Sequence, residues 1–202
     1  MAVNPVFFER TKDGEAFYDI HSKLIKDRTI FLSGEIDFED GSNIAALLLM
    51  LDAEDHDKKI TIWINTPGGD AYAFLAIYDA MQFIKAPVET ICINMAQSAG
   101  ALILASGSKG KRFAMPNSKI MIHQIQANIP GGSGTDIEIE AANIKEINNS
   151  IIEILAKHTG NTFAKVKKDC KHDKYLNAKQ ALAYGLIDYI YTYSKDVPLL
   201  KK

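Results

Sequence analysis

Two rhythms of apolar positions alternate along this chain. In KKITIWIN (58–65), Ile60, Ile62 and Ile64 alternate with Thr61 and Trp63, the two-residue period of a strand with one buried face. RTIFLSGEI (28–36) and VETICIN (88–94) read as strands too. Between them, GSNIAALLLMLDAED (41–55) reads as a helix. In DAYAFLAIYDAMQFIK (70–85), Phe74, Ile77, Met81 and Ile84 recur at helical spacing, and Pro87 blocks continuation. A short helix over 99–106 stops at GSKGK, and KRFAMP and SKIMIHQ follow as short strands. QANIPGGSG is a loop by its Gly and Pro content. The long helix TDIEIEAANIKEINNSIIEILAKH carries Ile137, Ile144, Ile147, Ile151 and Leu155 on one stripe. NTFAKVKKD is a helix opened by Asn161-Thr162, NAKQALAYG one capped by Asn177 with Gln180 three residues on, and LIDYIYTY a closing strand. Such alternation predicts an α/β fold with mainly parallel strands, in one domain over 1–202 without repeats or linkers.

Composition narrows the class. With 202 residues the chain buries a core without a disulfide or metal staple, and 47% hydrophobic against 24% charged residues is an ordinary globular mix. A net charge of −2 offers no basic field for nucleic acid. No stretch approaches the ~18 apolar residues of a membrane span, and MAVNPVFFERTKDGEAF has no signal-like apolar core. Cys92 and Cys170 have no partner at CxxC or metal-ligand spacing, which fits a reduced, cytoplasmic compartment. His56 and His158 stand apart from any acidic or cysteine cluster, so no metal site is expected.

The candidate chemistry lies at a seam. In ETICINMAQSAGALILASG a β-branched run ends at Gln97-Ser98, and a run of small apolar residues starts at once. A strand turning directly into a helix puts Ser98 at a helix N-terminus, where the first amides lack intrahelical acceptors and the dipole is positive. Ser98 reads either as an N-cap or as a nucleophile beside an anion-stabilising nest. NTPGGDA ends another strand with two glycines that allow close backbone approach, and His123 ends the strand of SKIMIHQ. Serine, histidine and backbone amides are the parts of acyl transfer, with a carboxylate to orient the base. Asp136, Asp169, Asp173 and Asp188 all lie downstream of His123, and spacing does not choose among them.

These pieces assemble into a known pattern. FYDIHSKLIKDRTIFLSGEI, INTPGGDAYAFLAIYDAMQFIKAPVETICINMAQSAGA, GKRFAMPNSKIMIHQ, TDIEIEAANI and HTGNTFAKVKKDCKHDKYLNAKQALAYGLID occur in order. Together they resemble the proteolytic subunit of Clp proteases along almost the whole chain. The resemblance implies a crotonase-like α/β spiral of strands with flanking helices, an N-terminal axial segment over 1–20 and a protruding helix–strand handle over 124–160. It implies a serine endopeptidase of an ATP-dependent, self-compartmentalised protease serving protein quality control, which cuts unfolded polypeptides to short peptides through an acyl-enzyme. Ser98 matches the nucleophile, His123 the general base and Asp173 the residue that orients it. The backbone amides of Gly69 and Ala99 match the oxyanion donors.

By the same resemblance, subunits form heptameric rings, two of them stacked into a homo-oligomeric tetradecamer, and an AAA+ unfoldase docks a short apolar loop between neighbours. Leu49, Trp63, Phe83, Ile91, Ile93, Phe113 and Met115 match that cleft. No cofactor is implied, because ATP is used by the separate AAA+ partner and this chain has no Walker-type loop. Three departures stand out. Ala99 replaces a methionine and reshapes the adjacent pocket, Ile125 replaces a proline in a loop one residue longer than usual, and His172 replaces an arginine of the inter-ring ion pairs. Arginine and histidine are not equivalent, so weaker or pH-dependent ring pairing is expected. The alternative is a non-catalytic ring subunit acting as a scaffold beside an active paralogue. A third reading, an acyl-CoA enzyme of the wider crotonase fold, needs no such Ser/His/Asp set.

Overall fold

The computed structural model describes residues 5–11, 14–127 and 131–191. Parts of the expected axial segment (1–4, 12–13), of the loop before the long helix (128–130) and of the last strand (192–193) lie outside them. The chain opens with an antiparallel hairpin, β1 (Phe7–Thr11) and β2 (Gly14–Tyr18), and then α1 (Ile20–Lys26), capped by the Asp19 side chain. Sequence periodicity is too short here to reveal either element.

The main sheet runs β3 (Thr29–Ile36), β4 (Ile60–Gly69), β5 (Val88–Gln97), β6 (Arg112–Ala114) and β9 (Tyr189–Ile190), all parallel. β5 serves two partners in succession. Its first half pairs β6 at Thr90–Cys92, and its second half pairs β7 (Lys119–Ile122) at Met95–Gln97. Asn94, at φ +66°, sits between the two pairings, and its side chain donates to Asn65 Oδ1. β8 (Lys174–Asn177) closes this second branch antiparallel to β7, an element the periodicity did not disclose. Within LIDYIYTY, the described residues that pair with β6 are Tyr189 and Ile190.

Helices α2 (Phe38–Glu54) and α3 (Ala71–Phe83) link the first three strands. α2 starts before Gly41 because Asp37 and Asp40 cap each other reciprocally. Ile60, Ile62 and Ile64 are fully buried, as their alternation requires, with Leu48, Phe74 and Ile77 in the same core. Each such side chain contributes about 1.5–3 kcal/mol by leaving water. α4 (Ala99–Ala105) runs through the centre with all seven residues buried.

The long helix α5 (Gly134–Thr159) behaves as two halves. Ile151, Ile152 and Leu155 are buried, whereas Ile137 and Ile139 are exposed. The expected stripe therefore stops short of Ile137, since the first turns of α5 leave their apolar side chains exposed among the described residues. The strand expected in the same handle is not found among the described residues. The segment after β7 instead bonds to α5 and to the loop after α6 (Phe163–Asp169), capped by Thr162 rather than Asn161. α7 (Ala178–Tyr184) follows with the Asn177–Gln180 capping box.

One side chain gathers these elements. Arg112 is buried and grips Asp188 in a fork, Nε to Oδ2 at 2.8 Å and Nη2 to Oδ1 at 2.6 Å. Its Nη1 donates to the carbonyls of Ala105, His158 and Gly185, at the C-terminal ends of α4, α5 and α7. A cation there satisfies orphan carbonyls and opposes three dipoles at once. Burial would raise the Asp188 carboxyl, but the Arg112 bonds and charge hold it below its ordinary range. Arg112→Leu is expected to lower the unfolding free energy by about 3–5 kcal/mol in urea denaturation, because Asp188 loses its partner while enclosed.

A second anchor ties α6 to β8 and α7. Asp169 accepts from Lys165, Lys174 and the Tyr184 hydroxyl. Burial pushes its carboxyl up, yet those three donors outweigh it and bring it down to about 2. A carboxyl depressed in the fold stabilises it above the unfolded value near 3.8 and loses that contribution as pH falls through about 2. Asp169→Asn is therefore expected to be less stable at neutral pH and to lose less further stability between pH 4 and 2, as read by thermal melts.

Candidate active site

Ser98 occupies the residue between β5 and α4, with φ +52° and ψ −121°. A non-glycine residue in that region carries about 1–3 kcal/mol of strain. Backbone bonds hold it there: its N–H donates to Met121 O at 2.9 Å, and its carbonyl accepts from Ala101 and Leu102. The hydroxyl caps nothing in α4. Instead Ser98 Oγ lies 2.8 Å from His123 Nε2. The N-cap reading of Ser98 therefore does not hold, because the twisted backbone aims the side chain away from the helix it precedes.

His123 directly follows β7, the strand that pairs the second half of β5, so the two side chains meet at adjacent strand ends. Asp173 directly precedes β8, the strand on the other side of β7. Its Oδ1 stands 3.2 Å from His123 Nδ1, within ion-pair range. The ring N–H and that oxygen are not aligned for a hydrogen bond, and Nδ1 is a buried atom without a hydrogen-bond partner. Asp136, Asp169 and Asp188 are engaged elsewhere, in the α5 capping box, the α6 anchor and the Arg112 fork.

The two glycines divide the labour of close approach. Gly68, at φ +104°, lies so near the seam that a Cβ there would come within 2.6 Å of Ser98 Cβ. A Cβ on Gly69 would instead collide with the backbone of Ile36 in β3. Thr66, fully buried, organises the turn by accepting from Gly68 N–H at 3.0 Å and donating to Gly34 O. Ala99 is buried as the first residue of α4, so its amide has no intrahelical acceptor. A carbonyl delivered to Ser98 Oγ would meet this positive helix end in a setting of low polarity, where such dipoles act strongly.

Comparison with known protein families matches the Clp protease family over residues 12–194. The chain belongs to the Clp protease family. That family comprises serine peptidases, and the mixed α/β fold with a mostly parallel sheet and flanking helices is the one it uses.

In this Clp protease family member a cleft of about 430 Å³ opens over Ser98 and His123. Gly69 and Ala99 border it, Ile125, Ile144, Ile147 and Ile151 make an apolar wall, and Glu35 and Glu140 lie on its rim. Tyr72 accepts a bond from Asn143 Nδ2 across the same cleft at 3.1 Å. Tyr72, Glu35 and Asn143 carried no signal in the sequence, being single polar residues on three separate elements. Among the described residues no group of three or more His, Cys, Asp or Glu could hold a metal ion, and no helix is long and apolar enough to cross a membrane.

The residues matched to the docking cleft are dispersed within one chain. Phe31, Trp63, Ile91, Phe113 and Tyr189 form one row across β3, β4, β5, β6 and β9. Trp63 and Ile93 line an apolar groove with Phe31 and with Ile20 and Leu24 of α1. Phe113 stacks on Tyr189 and Tyr191, Met115 is half-buried, and Ile91 is only 1% exposed, so it presents no surface in one chain. Leu49 and Phe83 are exposed on α2 and α3. His172 is exposed in the loop between α6 and β8, next to Asp173.

Gly68→Ala tests the crowding at the seam. It is expected to lower stability, because φ +104° strains a side chain there and its Cβ would also meet the Gln97 carbonyl at 2.7 Å. In the folded fraction it is expected to slow covalent modification of Ser98 by about 100-fold, since displacement of a reacting group by ~1 Å costs that much. Time courses of labelling, with circular dichroism as the folding control, would check it.

Proposed function

We propose that this chain is the peptidase subunit of an ATP-dependent Clp protease and cleaves unfolded polypeptides through an acyl-enzyme. The observation that carries the reading is the 2.8 Å contact between Ser98 Oγ and His123 Nε2, made by a serine strained out of its capping role. Ser98 Oγ attacks the scissile carbonyl as His123 Nε2 takes its proton, which requires the tautomer with hydrogen on Nδ1. Asp173 stands beside Nδ1 to favour that tautomer and the imidazolium that follows. The amides of Ala99 and Gly69 receive the developing oxyanion. His123 then protonates the leaving amine, and water, deprotonated by the same imidazole, releases the acyl group.

Self-association into heptameric rings, two of them stacked, is supported by large apolar side chains left exposed among the described residues: Leu49, Phe83, Ile137 and Ile139. We assign the inter-ring contact to His172, which is exposed beside Asp173. The groove at Trp63 and Ile93 suits an apolar loop of an AAA+ unfoldase, which supplies ATP hydrolysis. We place this assembly in the cytoplasm. A scaffold role beside an active paralogue is the second reading, and the unaligned Asp173–His123 contact favours it.

Fluorophosphonate treatment of the assembled protein, read by intact mass, decides between them. One adduct per chain, absent from Ser98→Ala, is the expected result. No adduct in a correctly assembled ring would overturn the peptidase reading in favour of the scaffold.

A further inference from the structure

His123 stands where the sheet stops. Upstream, β7 is held on both sides, by β5 and by β8. Downstream the ladder ends, and three hydrogen bonds replace it. Gln124 N–H donates to Cys170 O at 2.6 Å, and Gln124 Nε2 donates to Lys171 O at 3.1 Å, both toward the loop that carries Asp173. Ile125 N–H donates to Asn148 Oδ1 at 3.0 Å, toward α5. The segment 123–125 is thus stretched between two bodies, with the imidazole at its head.

Asn148 is an unusual resident of its helix face. It lies four residues from Ile144 and four from Ile152, within the stripe that α5 turns to the core, and it is half-buried. A polar side chain in an apolar stripe needs a partner, and Ile125 N–H is that partner. Ile125 itself packs against the core beside Ile147. The pair is therefore a polar clasp in an apolar seam, and the only described hydrogen bond from the segment to α5.

The geometry points to Asn148 as a positioning residue for His123: its carboxamide holds the 123–125 segment on α5 and so sets the imidazole against Ser98. This rests on the peptidase reading, in which His123 is the base. Asn148 touches neither Ser98 nor the cleft contents and acts through the backbone of Ile125. Loss of the clasp leaves the segment held by the Gln124 bonds to the Asp173 loop and by the contact of His123 with Ser98 that the clasp helps to set.

The test compares Asn148→Leu, which removes the acceptor, with Asn148→Asp, which keeps it. Fluorophosphonate labelling of Ser98 is expected to slow about 10-fold or more in the leucine variant, consistent with sub-ångström misplacement of a reacting group. The aspartate variant is expected to label at close to the parent rate. Backbone amide exchange over 122–127 should rise in the leucine variant alone. In the Ile125→Pro background, which has no N–H at 125, Asn148→Leu should add nothing, whereas a merely structural loss would add in full. Equal labelling in the parent and the leucine variant would overturn the proposal and leave Ser98 reactivity intact. Absence of labelling in the parent would overturn the peptidase reading instead. The exchange arm would then decide the clasp alone, and unchanged exchange in Asn148→Leu would refute it.

Discussion

Everything around the seam depends on where α4 and α5 end, and one guanidinium decides that. Arg112 draws the C-terminal carbonyls of α4, α5 and α7 to a single point and fixes them to β6 and, through Asp188, to the chain before β9. α4 is short and fully buried, so holding its tail also sets its head, where Ala99 follows Ser98. α5 carries the apolar wall of the cleft on the turns just before its anchored end. The same crowding of cations shapes His158: burial first, then the charges of Lys157 and Arg112, press its imidazole down to about 4. It is neutral at ordinary pH and serves packing, its ring edge-on to Tyr78.

A second constraint is local, and glycine makes it tolerable. Three segments converge within a few ångströms: the end of β4, the end of β5 and the end of β3 at Ile36. Gly68 yields to Ser98, Gly69 to Ile36 and Gly100 to the Thr66 methyl. Thr66 and Ser98 keep side chains at the convergence, and Ser98 bears the backbone strain. A serine so held has its hydroxyl turned to His123 Nε2 by the backbone itself.

Much of this was legible in the sequence because it follows from periodicity and from rare local patterns. Alternation at Ile60, Ile62 and Ile64 disclosed β4, and the Gly-Gly and Gln97-Ser98 junctions disclosed where strands turn into helices. The choice of Asp173 over three other aspartates was not readable from spacing. It depends on β8 lying beside β7, and β8 has only four residues with no alternation strong enough to reveal it. Gly68 went unassigned because two adjacent glycines look alike until their neighbours are known. The clasp at Asn148 escaped for the opposite reason: a lone asparagine in an apolar stripe reads as a blemish until the amide that answers it is located. The exposed start of α5 was hidden too, since an apolar stripe looks the same whether it meets its own chain or another.

The row that crosses the sheet from Phe31 to Tyr189 has a practical side. Trp63, the single tryptophan of the chain, belongs to that row and lines the groove beside α1. Its emission reports on its surroundings without interference from a second indole. The fold has in effect placed a single optical reporter on the groove, among residues that do not line the cleft over Ser98. A change in the surroundings of the groove is consequently readable on the unmodified chain.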